Sequence, residues 1–598
     1  MSDTVHDLSI VDTDRAVSAF RGAGPAAIVF EFNVPMLVDV LVELSQQYGW
    51  KPVYITSNYT RELVKRNFPS IIYQETNDAR FGQPAAEFAD IGAPGIVDQP
   101  TAEALGYVEV MALKQMDRLE LLGGFPLRER VLHFHRLVAY WSAVFDRLRP
   151  DVLLSITAPH VVYDYVAYAL ARRRGIRTVL FEYVGVDQGL VMAIDRFEDG
   201  LPPLMEEYRR LRANPPPGPV VLSKRLESNW CCLKGSYEQA LPQSTRRFWA
   251  EAETRRLAAL EAEKLAAAQL EASAWTQAPE PALLPERVTT AERMGLRRRF
   301  KEAFLAFKGY TPDQAENAAR AEPTAELAPS PPPFVPRPPP PPAQGHYNGR
   351  FHAMAPEDIA RVAADFRRDR TETLKRRYEE LAVEPDLTQP FVYVALGMQP
   401  ERTTNPNGGV FDDQDVMVGM IAAALPAGWR VYVKDHPSQF AYGTWIERGR
   451  WPNYYDAIVA HPGVSLVPLQ TPSFDLIDRA RAVATVAGTS SWEALVRGVP
   501  TLLFGEAWYK GCEGAYAVRT MDDCRQALER IKSGERPDPE AVRLFLHAAD
   551  RTALEAYLSD DDKPFVEIDV ATNVTRLARA IAECYETATV EPLMRASV

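Results

Sequence analysis

The stretch from Ala480 to Tyr509, ARAVATVAGTSSWEALVRGVPTLLFGEAWY, constrains the fold more than any other part of the chain. It reads as strand, turn, helix, turn, strand, with its polar residues gathered at one end. Val483 to Val486 is an apolar run of strand type, Gly488-Thr489-Ser490-Ser491 turns the chain, and Trp492 to Arg497 carries a helix that Gly498 and Pro500 stop. Thr501 to Phe504 is the next strand. Such alternation builds a parallel sheet with right-handed crossovers. Backbone N–H groups at a helix start, with hydroxyls beside them, form a site for a phosphate. Glu493 lies one helical step further in, where a carboxylate can hold a ribose hydroxyl. The same residues also read as a plain helix cap, with Ser490 or Ser491 at the N-cap and Glu493 as a first-turn acid. On this stretch alone both readings stay open.

Trp429 to Pro437, WRVYVKDHP, adds a second strand, Arg430 to Val433, with Lys434, Asp435 and His436 at its carboxyl end. Ligands of open α/β sheets bind outside the carboxyl ends of the strands, so Lys434 and His436 are candidate phosphate ligands. A second His-Pro, His461-Pro462, precedes the strand Val464 to Val467 and so belongs to the opposite edge; His461 reads as surface or structural.

Together these residues resemble the capsule polysaccharide biosynthesis glycosyltransferases. That group includes the bacterial β-Kdo transferases and, more distantly, the sialyl- and polysialyltransferases with their His-Pro and Ser/Thr motifs. Gln399-Pro-Glu-Arg-Thr-Thr-Asn-Pro406, ahead of Gly408-Gly409, is similar to the same family's region before the His-Pro strand. The resemblance runs from about Phe391 to Tyr509, is looser from Pro150 to Asp195, and is absent from about Leu201 to Asp386. It implies an α/β, GT-B-like architecture of two Rossmann-like domains facing a central cleft, with a helical and proline-rich insertion between them. It also implies that His436 and Ser490/Ser491 bind the phosphate of a CMP-sugar, and that Glu493 helps hold the nucleotide.

The chain has 598 residues, 46% hydrophobic and 25% charged, ordinary for a soluble globular protein of two or three domains. A formal net charge of −13 argues against general nucleic-acid binding. The N-terminus, MSDTVHDLSIVDTDRAVSAF, is acidic and without an apolar signal core, which predicts a cytoplasmic protein and leaves association with the inner face of the membrane open. Cys231, Cys232, Cys512, Cys524 and Cys584 show neither CxxC nor zinc spacing and read as reduced thiols. No metal site or cofactor motif stands near the expected cleft. Asp412-Asp413 is an acid pair placed at a helix start, where acids cap well.

The expected domains are 1–200, a Rossmann-like acceptor-side domain; 201–387, the insertion; 388–535, the nucleotide-sugar domain; and 536–598, helices that pack back on the first domain, by analogy with GT-B enzymes. In the first domain, AAIVFEF (Ala26–Phe32) and KPVYIT (Lys51–Thr56) are strands around a helix, Pro35 to Tyr48, and the loop Glu31-Phe32-Asn33 faces the cleft. Leu132 to Leu148 and Val162 to Arg173 read as helices; Asp151 to Ser155 and Thr178 to Glu182 read as strands. The family's acceptor-side domain uses an acidic residue as base, which here points to Glu182 ahead of Asp195 and Asp187. His160 is either a cleft ligand or a helix-start residue, while His133 and His135 read as structural. Phe248 to Ala274 reads as a long exposed helix, and Ala328 to Pro342 as a polyproline spacer, a passive linker more readily than an SH3-type ligand. Either can suit a protein partner. Further helices are expected at Pro356 to Ala382, Asp412 to Leu425, Met521 to Lys532 and Asn573 to Thr587.

Transfer from a nucleotide sugar needs a stabilised leaving phosphate, registered substrates and a base for the acceptor hydroxyl. Lys434, His436, Gly488, Thr489, Ser490, Ser491, Glu493, Glu506 and Tyr509 form the expected donor site, and Glu182, Asp195 and His436 the catalytic set. The expected activity is transfer of a CMP-activated 2-keto sugar acid such as Kdo to a glycan or glycolipid. The alternatives are a UDP- or CDP-sugar transferase, an epimerase of the same fold, and a non-catalytic polysaccharide assembly or export factor.

Overall fold

A computed structural model describes residues 24–89, 97–116, 126–185, 189–240, 254, 371–440 and 449–588. The expected helix at 248–274, apart from Thr254, the proline-rich segment 328–342, most of the expected helix at 356–382, and Asp187 lie outside the described residues. Two sheets carry the fold, and both belong to the unit formed by 1–253 and 344–598.

The first sheet grows from strands β1 (Ala26–Phe30), β2 (Lys51–Thr56), β3 (Ile72–Gln74), β4 (Val152–Ser155), β5 (Arg177–Tyr183) and β6 (Leu190–Ile194). Its inner strands are buried Val, Ile and Leu runs without polar alternation, the pattern of parallel strands covered on both faces. Helix α1 (Pro35–Tyr48) joins β1 to β2; Pro35 sits in its first turn, and Gly49 ends it at φ 71°, a left-handed cap suited to glycine. Helices α2 (Gly106–Gln115), α3 (Leu127–Leu148) and α4 (Tyr163–Arg173) cover the other face. There Trp141 is fully buried, with Phe30 at 5.0 Å and Tyr163 at 6.2 Å between ring centres. α3 begins five residues before the expected Leu132, because its exposed first turn carries no apolar period.

The second sheet holds β7 (Phe391–Ala395), β8 (Arg430–Lys434), β9 (Val464–Leu466), β10 (Ala482–Thr485), β11 (Thr501–Leu503) and β12 (Ala515–Ala517), all parallel, in the order β12-β11-β10-β7-β8-β9. This is a Rossmann order whose direction reverses between β7 and β10. The first sheet repeats it, with its reversal between β1 and β4, but at one edge β6 runs antiparallel to β5, and the late β13 (Leu554–Glu555) pairs antiparallel to β6. Near the end of the chain, α5 (Val570–Thr587) packs on α1 and on β5 and β6, with the Tyr585 ring 5.3 Å from Trp50. The architecture is α/β with two Rossmann-like lobes, as the resemblance implies. No helix among the described residues is long and apolar enough to cross a membrane.

Candidate active site

Contacts between the lobes join their carboxyl edges. The loop 396–408 leaves β7 at the reversal point of the second sheet and reaches the first lobe. Asn405 accepts a hydrogen bond from Gln115 at 3.0 Å, and the Arg402 guanidinium pairs with Glu182 near the end of β5. Lys114 on α2 meets Asp412 at 3.2 Å and Asp413 at 2.8 Å. The two aspartates were expected as helix-capping acids; Asp413 does stand at the N-cap of the helix Gln414–Ala424, but its side chain makes no cap bond. They answer a cation of the other lobe instead.

The helix α6 (Thr489–Val496) starts at the reversal point, directly after β10. Its N-cap is Gly488, with no side-chain cap. The expectation of a Ser490 or Ser491 cap is therefore corrected. Ser491 is fully buried and its hydroxyl bonds Thr485 at 2.8 Å, so it faces the sheet, whereas Thr489 is exposed and Ser490 half-buried. Tyr509 lies buried under the turn and donates to the Gly488 carbonyl at 2.5 Å. Among the described residues, the helix start thus keeps its first N–H groups without a side-chain acceptor, the arrangement that receives an anion. Close packing shapes this edge: a Cβ on Gly505 would stand 2.7 Å from the Asn407 carbonyl oxygen, and one on Gly408 2.4 Å from that of Thr404.

Glu493 is 8% exposed, and its Oε2 has no hydrogen-bond partner among the described residues. Burial raises its carboxyl to about 7, against the opposing charges of Arg497 and Lys434. The Lys434 amine donates to the Thr471 carbonyl at 2.6 Å and to Ser473 Oγ at 3.1 Å, and burial lowers it to about 8. Lys434 is thus tied into the sheet edge beside Glu493. Glu506, expected in the donor pocket, accepts from Lys510 at 2.6 Å and from Arg519 at 2.9 Å.

His436 follows β8. Its Nδ1 accepts from the Ser438 backbone N–H at 3.2 Å, which leaves the proton of the neutral ring on Nε2. Burial pushes its pKa down to about 4, with Lys434 and Arg450 adding to the effect and Asp435 opposing it. Asp435 accepts from the His436 backbone N–H at 2.7 Å, from Tyr455 at 2.6 Å, and from the fully buried Arg450 at 2.9 and 3.0 Å. His436 therefore presents a neutral N–H donor, seated on a buried ion pair. Nothing local in the sequence marks Arg450, which lies well beyond His436 in the chain and reaches it only through the fold.

On the first lobe, Glu182 is at the carboxyl edge, as expected. Asp195 is not, and that expectation is corrected. Strand β6 runs antiparallel to β5 with Ile194 opposite Leu180, so Asp195 returns to the amino edge, where Thr178 donates to its carbonyl. The turn back through β6 had no place in a purely βαβ reading. His160 is a helix-start residue: its backbone N–H donates to Asp164 at 2.9 Å, and its Nδ1 meets the Ala158 carbonyl. His133 is buried within α3 against the Arg80 carbonyl, and His461 pairs with Asp415 at 2.9 Å. Glu31, in the loop singled out from the sequence, has φ 63° and accepts from Tyr163 at 2.6 Å and Asn33 at 2.9 Å. Arg402 and Asn407 went unassigned in the sequence, although ERTTNP carries the first; Asn407 Oδ1 is buried without a hydrogen-bond partner among the described residues. The described residues hold no cluster of His, Cys, Asp and Glu fit for a metal ion.

Residues 398–540 match the family model described as capsule polysaccharide biosynthesis protein. No curated protein sequence matches the chain. Among solved structures, the Thermosulfurimonas dismutans KpsC beta Kdo 2,7 transferase is 13% identical with a TM-score of 0.22, over 37% of this chain and 64% of that one. The beta Kdo 2,4 transferase of the same protein is 18% identical with a TM-score of 0.19, over 30% and 55%. The UDP-GlcNAc 2-epimerase from Methanocaldococcus jannaschii is 9% identical with a TM-score of 0.21, over 87% and 97%. The chain thus spans less than two thirds of either Kdo transferase structure.

Proposed function

From a chain whose residues 398–540 carry the capsule polysaccharide biosynthesis family match, we propose a nucleotide-sugar-dependent glycosyltransferase of surface polysaccharide assembly. The donor in this reading is a CMP-activated 2-keto sugar acid such as Kdo, and the acceptor is a glycan or glycolipid. One observation carries the reading: the start of α6 at the sheet's reversal point, beside the buried Glu493 Oε2, neither of them with a side-chain partner among the described residues. An anion acceptor and a hydroxyl acceptor stand together there, as a nucleotide phosphate and its ribose require.

In this mechanism the N–H groups of Thr489 and Ser490 and the Nε2–H of His436 hold the phosphate. Ser491 and Tyr509 act from beneath, by holding the turn. Glu493 takes a ribose hydroxyl on Oε2, and Glu506 with Lys510 shapes the pocket wall. As the bond from the anomeric carbon to the phosphate oxygen breaks, the electron pair stays on the nucleotide, where these donors stabilise it. The acceptor oxygen bonds the anomeric carbon and gives its proton to a first-lobe carboxylate, Glu182. Because His436 is neutral, it stabilises the leaving group as a hydrogen-bond donor rather than as a cation.

The test is a thermal-shift titration with CMP, CDP, UDP and GDP on the wild type and on His436→Ala. A ligand of the folded state alone raises the melting temperature with occupancy. The expected outcome is stabilisation by CMP that the variant loses. Stabilisation by UDP or GDP keeps a transferase but replaces the donor. The absence of any shift overturns the reading in favour of a non-catalytic assembly factor.

A further inference from the structure

Among the described residues, the pair Arg402–Glu182 is the one contact between the lobes that joins a donor-side cation to the candidate base. Both side chains are mostly buried, 19% and 14% exposed. Within the described residues, the Arg402 side chain bonds through one guanidinium nitrogen to one oxygen of Glu182, and neither side chain makes a second ion pair. A guanidinium carries five donors in a fork that fits a carboxylate two-on-two, so this pairing leaves most of Arg402's capacity unused. Lys114, the cation that crosses in the other direction, is by contrast held by two carboxylates.

Position adds the second argument. The loop that carries Arg402 is clamped on the second lobe at both ends. Gln399 donates to Gln439 in the turn after His436 at 2.9 Å, and the Asn407 carbonyl accepts from the Glu506 N–H at 2.8 Å. The tip of the loop thus lies between the turn after His436 and the edge that bears α6, and points at the first lobe. Arg402 thus stands on the loop that leaves the second sheet's reversal point, where α6 also starts, with its side chain on the first lobe. The carboxylate now on Arg402 is the protein's own.

We propose that Arg402 is the binding group for a sugar-acid carboxylate of the donor, that Glu182 occupies its place in the free protein, and that the donor's carboxylate displaces Glu182 and frees it to act as base. The proposal rests on the transferase reading above. It makes Arg402 the residue that separates acidic from neutral sugars, and it couples donor binding to release of the base. A carboxylate on the acceptor offers the same chemistry, and the experiment separates the two sources.

Binding is measured by calorimetry on the full chain with two series: the methyl ester of CMP-N-acetylneuraminate and CMP-N-acetylneuraminate itself, and UDP-glucose and UDP-glucuronate, each pair differing by a free carboxylate. Wild type, Arg402→Gln, Arg402→Lys and Glu182→Gln are compared. In the series of the bound nucleotide, the acidic member should bind about 10- to 100-fold tighter, the range for a charge-assisted hydrogen bond. Arg402→Gln should lose that gain while keeping the affinity for the carboxylate-free member, which also shows that it folds. Arg402→Lys should keep only part of it, and Glu182→Gln should raise it by removing the competitor. A pure latch between the lobes predicts the reverse for Glu182→Gln. A nucleotide that binds with no gain from the carboxylate, or a gain that survives Arg402→Gln, overturns the donor assignment and leaves the transferase standing. If free N-acetylneuraminate then binds the nucleotide complex in an Arg402-dependent way, the carboxylate belongs to the acceptor. A wild type that binds none of these nucleotides overturns the transferase reading itself, and this proposal with it.

Discussion

The two lobes share one strand order but hold their polar groups in opposite ways. At the carboxyl edge of the second sheet, the half-buried His436 and the buried Glu493 are brought near neutrality: His436 is pushed down to about 4, and Glu493 up to about 7. At the edge of the first sheet, Glu31 and Glu182 are partly exposed, one held by Tyr163 and Asn33 and the other by Arg402. The second edge rests on the fully buried Asp435–Arg450 pair beneath it. The first depends on the other lobe for the partner of Glu182. A preformed anion site set against an exchangeable carboxylate suits a protein that must hold one substrate and activate another. The lesson is that the same topology supplies positions, while burial and pairing decide what each position can do.

Breaking the buried pair should have the largest effect. Arg450→Met leaves Asp435 as an uncompensated buried charge and should cost about 3–5 kcal/mol, read by urea denaturation. An unchanged midpoint would show that Asp435 is not held by charge. The effect of Glu493 depends on pH. Its carboxyl is raised from 4.5 to about 7, so the stability it contributes is fully present below 4.5 and is lost as pH rises through about 7. Glu493→Gln should therefore stabilise the ligand-free protein at pH 8 by up to about 3 kcal/mol, with no gain at pH 4.5, in melting curves across pH. It should weaken nucleotide binding at the same time. Gly505→Ala forces a methyl group against the Asn407 carbonyl and should cost about 1–3 kcal/mol, with a matching loss of nucleotide-induced shift. The smallest effect belongs to the bridge between lobes. Lys114→Met, at a pair 28% exposed on the lysine side, should cost about 1 kcal/mol or less, weakening further in its salt dependence. A cost as large as that of Arg450→Met would show both ion pairs to hold the fold equally, and the contrast drawn between them would fall.

Much was legible in the sequence because it depends on local pattern. The apolar runs at Ala26, Lys51, Phe391, Arg430 and Ala482 are inner strands of the two sheets. The polar ends at His436 and Gly488 mark the carboxyl edge, since side chains just past a strand must lie there. Glu182 followed for the same reason. Asp195 failed because a short strand returning antiparallel, β6, carries no periodic signal distinct from a loop, and it moved the residue a sheet's width away.

By itself, the sequence determined where strands and helices alternate, and hence the two Rossmann-like lobes and the edge on which the candidate ligands stand. Those facts follow from hydrophobic period and turn residues, which act over a few positions. The tertiary structure alone decided that Gly488 caps α6 without a side chain, that Ser491 turns inward, that Arg450 charges the floor beneath His436, and that Arg402 meets Glu182 from the other lobe. Each of these is a contact between segments distant in the chain or a choice between two directions of one side chain. Burial and charge pairing settle such matters in three dimensions, and no spacing in one dimension encodes them.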